Sequence, residues 1–251
     1  MILTLILDEA DMVVLLTRAV PRASDAIEYG PALLQTALAY NINTPLRAAH
    51  FLGQLLHESG RLQYTEELAS GAAYEGVKML GNTRPGDGKR FKGRGFIQLT
   101  GRANYTRYSR YKNDPSLLED PDKLAKLPWA ADSAGWFWRY GNGTDANNAA
   151  DKDNLIAVTR IINGGLNGLE DRRTNTRIMK NTLDYVGTCK VQKALNAMNT
   201  YPGLHVDGDY GPRTASVVRE MQSDFLLPPT GSIDRDTWNR LKAYSGGTNG
   251  Q

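Results

Sequence analysis

At 251 residues the chain is long enough for one medium domain and one small one, each with its own buried core. A formal net charge of +3, with 41% hydrophobic and 23% charged residues, is ordinary for a soluble globular protein and too small to argue for nucleic acid. The single cysteine, Cys189, excludes an internal disulfide and reads as a small core residue, and the three histidines, His50, His57 and His205, lack the spacing of a metal site. No cofactor or metal is expected.

The first segment, Met1–Val20, is apolar, but Asp8, Glu9 and Asp11 interrupt it and no positive charge precedes it. That pattern fails as a signal peptide, and no apolar run reaches the roughly 20 residues of a membrane span. It predicts an amphipathic helix packed on the first domain. Thr44-Pro45 is an N-cap and first-position pair, followed by apolar Ala48, Ala49, Phe51, Leu52, Leu55 and Leu56 at helical spacing, with Ser59-Gly60 as the stop. A helix over 45–59 follows.

From Leu68 to Gly101 glycines recur, and Arg84-Pro85-Gly86-Asp87-Gly88 is a turn. Strand-like alternation is confined to Phe91–Leu99. Between Lys78 and Lys112 stand ten Lys or Arg residues against one acid, Asp87. Such a stripe reads either as a solvated basic face or as a site for a polyanion. Helical pattern returns at Asn104–Tyr111, Pro128–Tyr140 and Asp153–Ile162, so the large domain is mainly α, with long loops and little strand.

A second unit begins near residue 184, with Val191, Ala194, Leu195 and Met198 on one helix face and Val218, Met221 and Phe225 on another. Two turn-to-helix entries share one spacing: Gly208 precedes Thr214 by six positions, and Gly231 precedes Thr237 by six. This is a small internal duplication. The Gly-rich tail 245–251 is expected to be disordered. The domains are therefore 1–183, 184–244 and a tail.

Two carboxylates are the candidates for chemistry. On the helix 45–59 the apolar stripe centres near Ala48, Leu52 and Leu55, and Glu58 falls at its edge. A carboxyl there is partly desolvated, and desolvation raises a carboxyl pKa, as a general acid requires. Glu67 lies nine residues on, on the opposite side of a continuous helix, but the break at Gly60 lets the chain turn back. Two facing carboxylates are the minimal apparatus for glycoside hydrolysis. Glu66 competes with Glu67 for the second role. In Gly93–Tyr105, an alternating strand would project Gln98 and Thr100 from one side, and the glycines would let a sugar approach the backbone. Trp136, Phe137 and Trp138 cannot all face a ligand, and a core role is expected for them.

His57-Glu58-Ser59-Gly60, Glu67, the block Lys92–Tyr105, Ala134–Trp138 and Ile161–Gly168 together resemble glycoside hydrolase family 19, in its phage endolysin branch, over roughly residues 1–183. The resemblance implies a lysozyme-like, α-rich fold and an inverting mechanism. It implies Glu58 as general acid, Glu67 as general base and Thr100 holding the attacking water. Gln98, Asn104, Tyr105 and Asn163 would contact sugar, and His57 would position. Arg172, with Arg173 adjacent, would support the carboxylates. Ala103 replaces a tyrosine common in the chitinases of the family, which weakens the case for chitin and leaves room for a lactyl-bearing sugar.

Residues 191–195, 206–214 and 230–238 resemble the three-helix peptidoglycan-binding module of wall hydrolases. The expected function is an endolysin cutting β-1,4 bonds between MurNAc and GlcNAc. Chitinase and non-catalytic wall binder are the alternatives. Peptidoglycan is the expected partner, with no nucleic acid, no membrane insertion and a monomeric state. The chain is expected to stay in the host cytoplasm until a separate holin-type protein releases it to the wall.

Overall fold

A computed structural model describes residues 7–245. The chain divides into two compact units, Leu7–Met179 and a second that begins at Lys180. Twelve α-helices are described: α1 Glu9–Thr17, α2 Ala23–Ala39, α3 Pro45–Glu58, α4 Asp87–Arg90, α5 Arg102–Lys112, α6 Ser116–Glu119, α7 Trp129–Trp136, α8 Ala146–Ala150, α9 Leu155–Asn163, α10 Leu169–Ala197, α11 Pro212–Asp224 and α12 Arg235–Ser245. Among the described residues β pairing is limited to two isolated antiparallel bridges, Glu66 with Arg94 and Arg94 with Leu99. The α-rich expectation is met. No helix among the described residues is long and apolar enough to cross a membrane. The unit boundary lies within α10.

The helix expected over the first twenty residues is shorter, because Asp8 caps it. The Asp8 side chain accepts from the Asp11 N–H, and Asp11 reciprocates to the Asp8 N–H, each at 2.9 Å. The acids that break the apolar run thus start α1. Residues 1–6, and the tail from 246 on, lie outside the described residues.

In the first unit, α1 packs on α2 and α2 on α7. The core beneath α3 is aromatic: Phe51 meets Trp138 edge-on at 5.5 Å, and the buried indole N–H of Trp138 donates to Asn147 Oδ1 at 2.8 Å. Trp136 is buried too. The two tryptophans of the Trp-Phe-Trp run are therefore core and Phe137 is half-buried, with α7 passing into a π-helical turn over Phe137–Gly141.

The second unit closes around Val191, Leu195, Val218, Met221, Ile233, Trp238 and Leu241, with Met198 and Phe225 partly buried against them. Its internal duplication has a physical basis that the turn spacing only hinted at. Buried Gln192 accepts from the N–H groups of Asp207 and Gly208 and donates to Asp207 Oδ1 and Asp209 O. Buried Gln222 accepts from the Gly231 N–H and donates to Ser232 O and Thr237 Oγ1. Each amide satisfies turn groups that burial would otherwise orphan.

Replacing Gln222 with leucine keeps the volume and strands those partners. It should destabilise the second unit by about 1–3 kcal/mol, read as faster hydrogen exchange at the α11 and α12 amides, with the first unit unchanged.

Candidate active site

Glu58 is the last residue of α3. The Thr44 hydroxyl accepts from the Arg47 N–H at 3.2 Å and starts the helix, and Ala48, Leu52 and Leu55 pin its inner face in the core. A carboxylate at a helix C-terminus meets the negative end of the helix dipole. Arg172 on α10 offsets this: its Nη2 donates to Glu58 Oε1 at 2.6 Å, its Nη1 to Gln54 Oε1 at 2.5 Å and its Nε to Asn167 O at 3.0 Å. The Arg172 side chain is fully buried, whereas that of Glu58 remains 18% exposed. The adjacent Arg173 is exposed and pairs with Glu170. Of the two arginines, Arg172 is the one that reaches the carboxylate.

His57 contacts Asp171 through Nδ1 at 2.7 Å, and Asp171 accepts from Asn175 Nδ2 at 3.1 Å. Gly168 lies flat on the imidazole: at φ +70, a Cβ there would meet Cε1 at 2.1 Å. Only glycine permits that approach. Asn163 ends α9 and is exposed.

The break after Glu58 is sharper than Gly60 alone would make it. Gly60, Arg61 and Leu62 are all left-handed, at φ 56, 61 and 64. Such a conformation is costly in a leucine and persists only where its surroundings enforce it. Buried Ser59 supplies part of the constraint, donating to Leu55 O at 2.6 Å and accepting from the Leu62 N–H at 2.9 Å.

The chain then delivers two adjacent acids to different partners. Glu66 is bound by Arg94 Nε at 3.1 Å and Lys92 Nζ at 3.2 Å. Glu67 meets no cation through its carboxylate in these pairings. It accepts from the Tyr74 hydroxyl at 3.0 Å and the Gly93 N–H at 3.2 Å. Burial and the Glu67 hydrogen bond push the Tyr74 phenol up, which keeps it a donor. Tyr74 was not singled out from the sequence.

Gly93 marks where the remaining groups converge. A Cβ on it would lie 2.8 Å from Gln98 Oε1 and 3.3 Å from both Glu67 Oε2 and Thr100 Oγ1. Thr100 donates its proton to Gln98 O at 2.8 Å, which leaves its oxygen lone pairs to accept. Because Gly93 has no side chain, these three oxygens come together there, one of them on a carboxylate able to take a proton.

Two expectations are corrected. Phe91–Leu99 is no alternating strand: Arg94 and Leu99 pair across a tight loop in which Gly95 and Gln98 are left-handed. Gln98 reaches Gly93 because its backbone turns. Tyr105 is fully buried and cannot touch a sugar. Its hydroxyl donates to Lys92 O at 2.9 Å and accepts from Arg94 Nη1 at 3.2 Å, so it braces the segment that carries Gly93. Asn104, half-buried, donates to Thr100 O at 2.9 Å.

Much of the basic stripe serves the fold. Arg90 donates to Leu118 O and Glu119 O, Arg102 holds the buried Asp87, Arg107 donates to Tyr140 O and Lys112 pairs with Asp132. Arg102 holds the Asp87 carboxyl below the usual carboxylate range.

Comparison with known proteins places this geometry in a context. Residues 187–241 match the domain family described as "Putative peptidoglycan binding domain". The chain is 32% identical over 106 residues to a glycosyl hydrolase family 19 domain-containing protein of Haemophilus influenzae, covering 42% of this chain and 49% of that protein. It is 35% identical over 144 residues to an endochitinase of Arabidopsis thaliana, covering 57% of this chain and 47% of that one. It thus spans just under half the length of these curated relatives. Chitinase C from Streptomyces griseus superposes with a TM-score of 0.55 over 70% of this chain and 76% of that one, at 23% identity. A family GH19, class IV chitinase from Zea mays gives 0.51 over 70% and 92%, at 19% identity. These structures share the fold. The chain joins a unit similar to glycoside hydrolase family 19 with a unit that matches the putative peptidoglycan-binding family.

A side chain at Gly93, which would meet all three oxygens, should be about as damaging as losing the Glu67 carboxylate. Gly93→Ala is expected to cut hydrolysis of purified cell wall by about 100-fold or more, the scale of losing general-base assistance, with an unchanged circular-dichroism melt. Near-normal turnover would mean that no water is held there.

Proposed function

We propose that this chain hydrolyses the β-1,4 glycosidic bonds of bacterial peptidoglycan, between MurNAc and GlcNAc, by an inverting acid/base mechanism. The observation that carries the reading is the convergence of Glu67, Gln98 and Thr100 on Gly93, in a unit whose other carboxylate, Glu58, is oriented by a buried arginine. In this mechanism Glu58 protonates the leaving oxygen. Glu67 removes a proton from the water that Thr100 and Gln98 orient, and that water attacks the anomeric carbon from the opposite face. Arg172 is a positioning residue: it fixes the Glu58 rotamer. His57, held by Asp171, and the exposed Asn163 offer hydrogen bonds to the sugar chain.

The peptidoglycan-binding match supports wall glycan as the substrate, because a tethered module raises the effective concentration of the enzyme at the polymer. The second reading is hydrolysis of GlcNAc polymers, favoured by the chitinases to which the chain is similar. The wall reading extends to an endolysin: a monomer kept in the host cytoplasm until a separate holin-type protein admits it to the wall.

Glu58→Gln should lower wall hydrolysis by about 10²–10⁴-fold, the usual worth of one general acid. Glu67→Gln should be comparably impaired and Glu66→Gln only mildly, measured as turbidity loss of purified walls. A severe Glu66 phenotype beside a mild Glu67 one would move the base by one position.

Mass spectrometry of digested peptidoglycan, after borohydride reduction, should find MurNAc at the new reducing ends, and NMR of the earliest product should find the α-anomer. Reducing-end GlcNAc would reassign the bond that is cut, an initial β-anomer would replace inversion by retention, and turnover of chitin oligomers alone would favour the second reading.

A further inference from the structure

The second unit carries a cavity of about 210 Å³ lined by Met198, Thr200, Tyr201, Asp224, Phe225 and Tyr244. At about 30 Å³ per water it displaces on the order of seven waters, which is the scale of one sugar ring and not of a glycan segment. We propose that this cavity is a binding site for a neutral N-acetylated hexosamine unit of the wall glycan. The proposal rests on the reading of the chain as a wall-binding hydrolase and deepens it by naming which part of the wall the module holds.

The lining has the chemistry of a sugar site. Apolar surface comes from rings: Phe225 is partly buried against the core, Arg240 lies over its face at 5.5 Å, and Tyr244 is 40% exposed. Ring faces cover the apolar face of a pyranose with little loss of side-chain entropy. The polar members accept more than they donate. The Tyr201 hydroxyl donates to Asp224 Oδ2 at 2.9 Å, and the Thr200 hydroxyl donates to Met198 O at 3.1 Å, so both protons are spent within the protein. Burial, followed by the Asp224 hydrogen bond, pushes the Tyr201 phenol up to about 12, so that donation persists at any physiological pH. A carboxylate and a hydroxyl oxygen facing a small space call for a ligand rich in O–H and N–H donors. The Asp224 carboxylate repels the carboxylates of a lactyl group or a stem peptide at its side of the cavity, with Arg240 over Phe225 as an opposing charge. A GlcNAc unit has the hydroxyls, the amide N–H and no charge.

The position of Asp224 strengthens the case. It is the last residue of α11, where the helix dipole disfavours an anion. A carboxylate there gives the helix no cap, and asparagine would serve the fold at least as well.

The test uses the full-length Glu58→Gln chain, ¹⁵N-labelled, titrated with a GlcNAc trimer and separately with a diaminopimelate-containing stem tripeptide. The amides of Thr200, Tyr201, Asp224 and Phe225 should shift with the trimer and not with the tripeptide. Tyr244→Ala and Asp224→Asn should each weaken that response by about tenfold and reduce sedimentation with purified sacculi. Asp224→Asn removes an unfavourable helix-end charge, so a loss of binding in it is not a loss of fold; Tyr201→Phe, which keeps the ring and removes the donor to Asp224, should weaken binding to a smaller extent. Shifts with the tripeptide in place of the trimer would overturn the sugar assignment. Normal sedimentation with no shift at these amides would place wall binding elsewhere on the module and overturn the site, leaving the wall-binding reading intact. Failure of the Glu58→Gln chain to sediment with sacculi at all would remove both.

Discussion

The ion pair of Arg172 with Glu58 is the constraint on which the first unit is arranged. A guanidinium with no exposed surface is costly to bury unless its nitrogens find acceptors, and here Gln54, Glu58 and Asn167 take one bond from each nitrogen. Gln54 and Glu58 stand one turn apart on α3, so a single side chain from α10 sets that helix's rotation about its axis. The rotation decides that His57 faces Asp171 and that the chain leaves α3 at Ser59. The loop ahead of α10 is drawn in as well, because its Asn167 carbonyl is one of the three acceptors.

From that fixed point the chain solves a second problem: two adjacent glutamates must do different things. Neighbouring residues in extended backbone point to opposite sides, and here each side is furnished differently. One holds Arg94 and Lys92, which neutralise Glu66. The other holds uncharged donors, the Tyr74 hydroxyl and the Gly93 N–H, which orient Glu67 without pairing it to a cation. The different settings of Glu66 and Glu67 thus follow from what the glycine loop places beside each carboxylate.

Much of the helical frame was legible in the sequence. Thr44-Pro45 and the apolar spacing after it gave α3, and the turn spacing around Thr214 and Thr237 gave α11 and α12. Both signals are local, and a capping hydroxyl or an apolar repeat means the same thing in any context. The candidate site residues, with Arg172 as their support across 114 positions, were legible through motif resemblance. Tyr74 was not: it meets Glu67 in a segment that looks merely glycine-rich. The alternating pattern near Gln98 suggested a strand. What governs there is the need to close a tight loop on Arg94, which puts Gln98 into a left-handed conformation. Tyr105 read as a ligand contact through the resemblance alone, but burial decides its role. The basic stripe looked like a surface property and proved largely an inventory of internal donors to carbonyls and acids. Gln192 and Gln222 were silent because a buried glutamine has no periodic signature.

Arg94 connects more of the site than any motif suggested. It touches Glu66, Asp122, the Arg90 carbonyl and the Tyr105 hydroxyl, and its backbone pairs with Leu99. A planar fork of five donors can serve four acceptors in fixed directions, and an ammonium cannot. The loop is therefore held by one cross-brace in place of a sheet. This concentrates evolutionary risk: four acceptors depend on one side chain that has no conservative substitute. Lineages that reshape the loop would be expected to keep this arginine, or to change it only together with its partners.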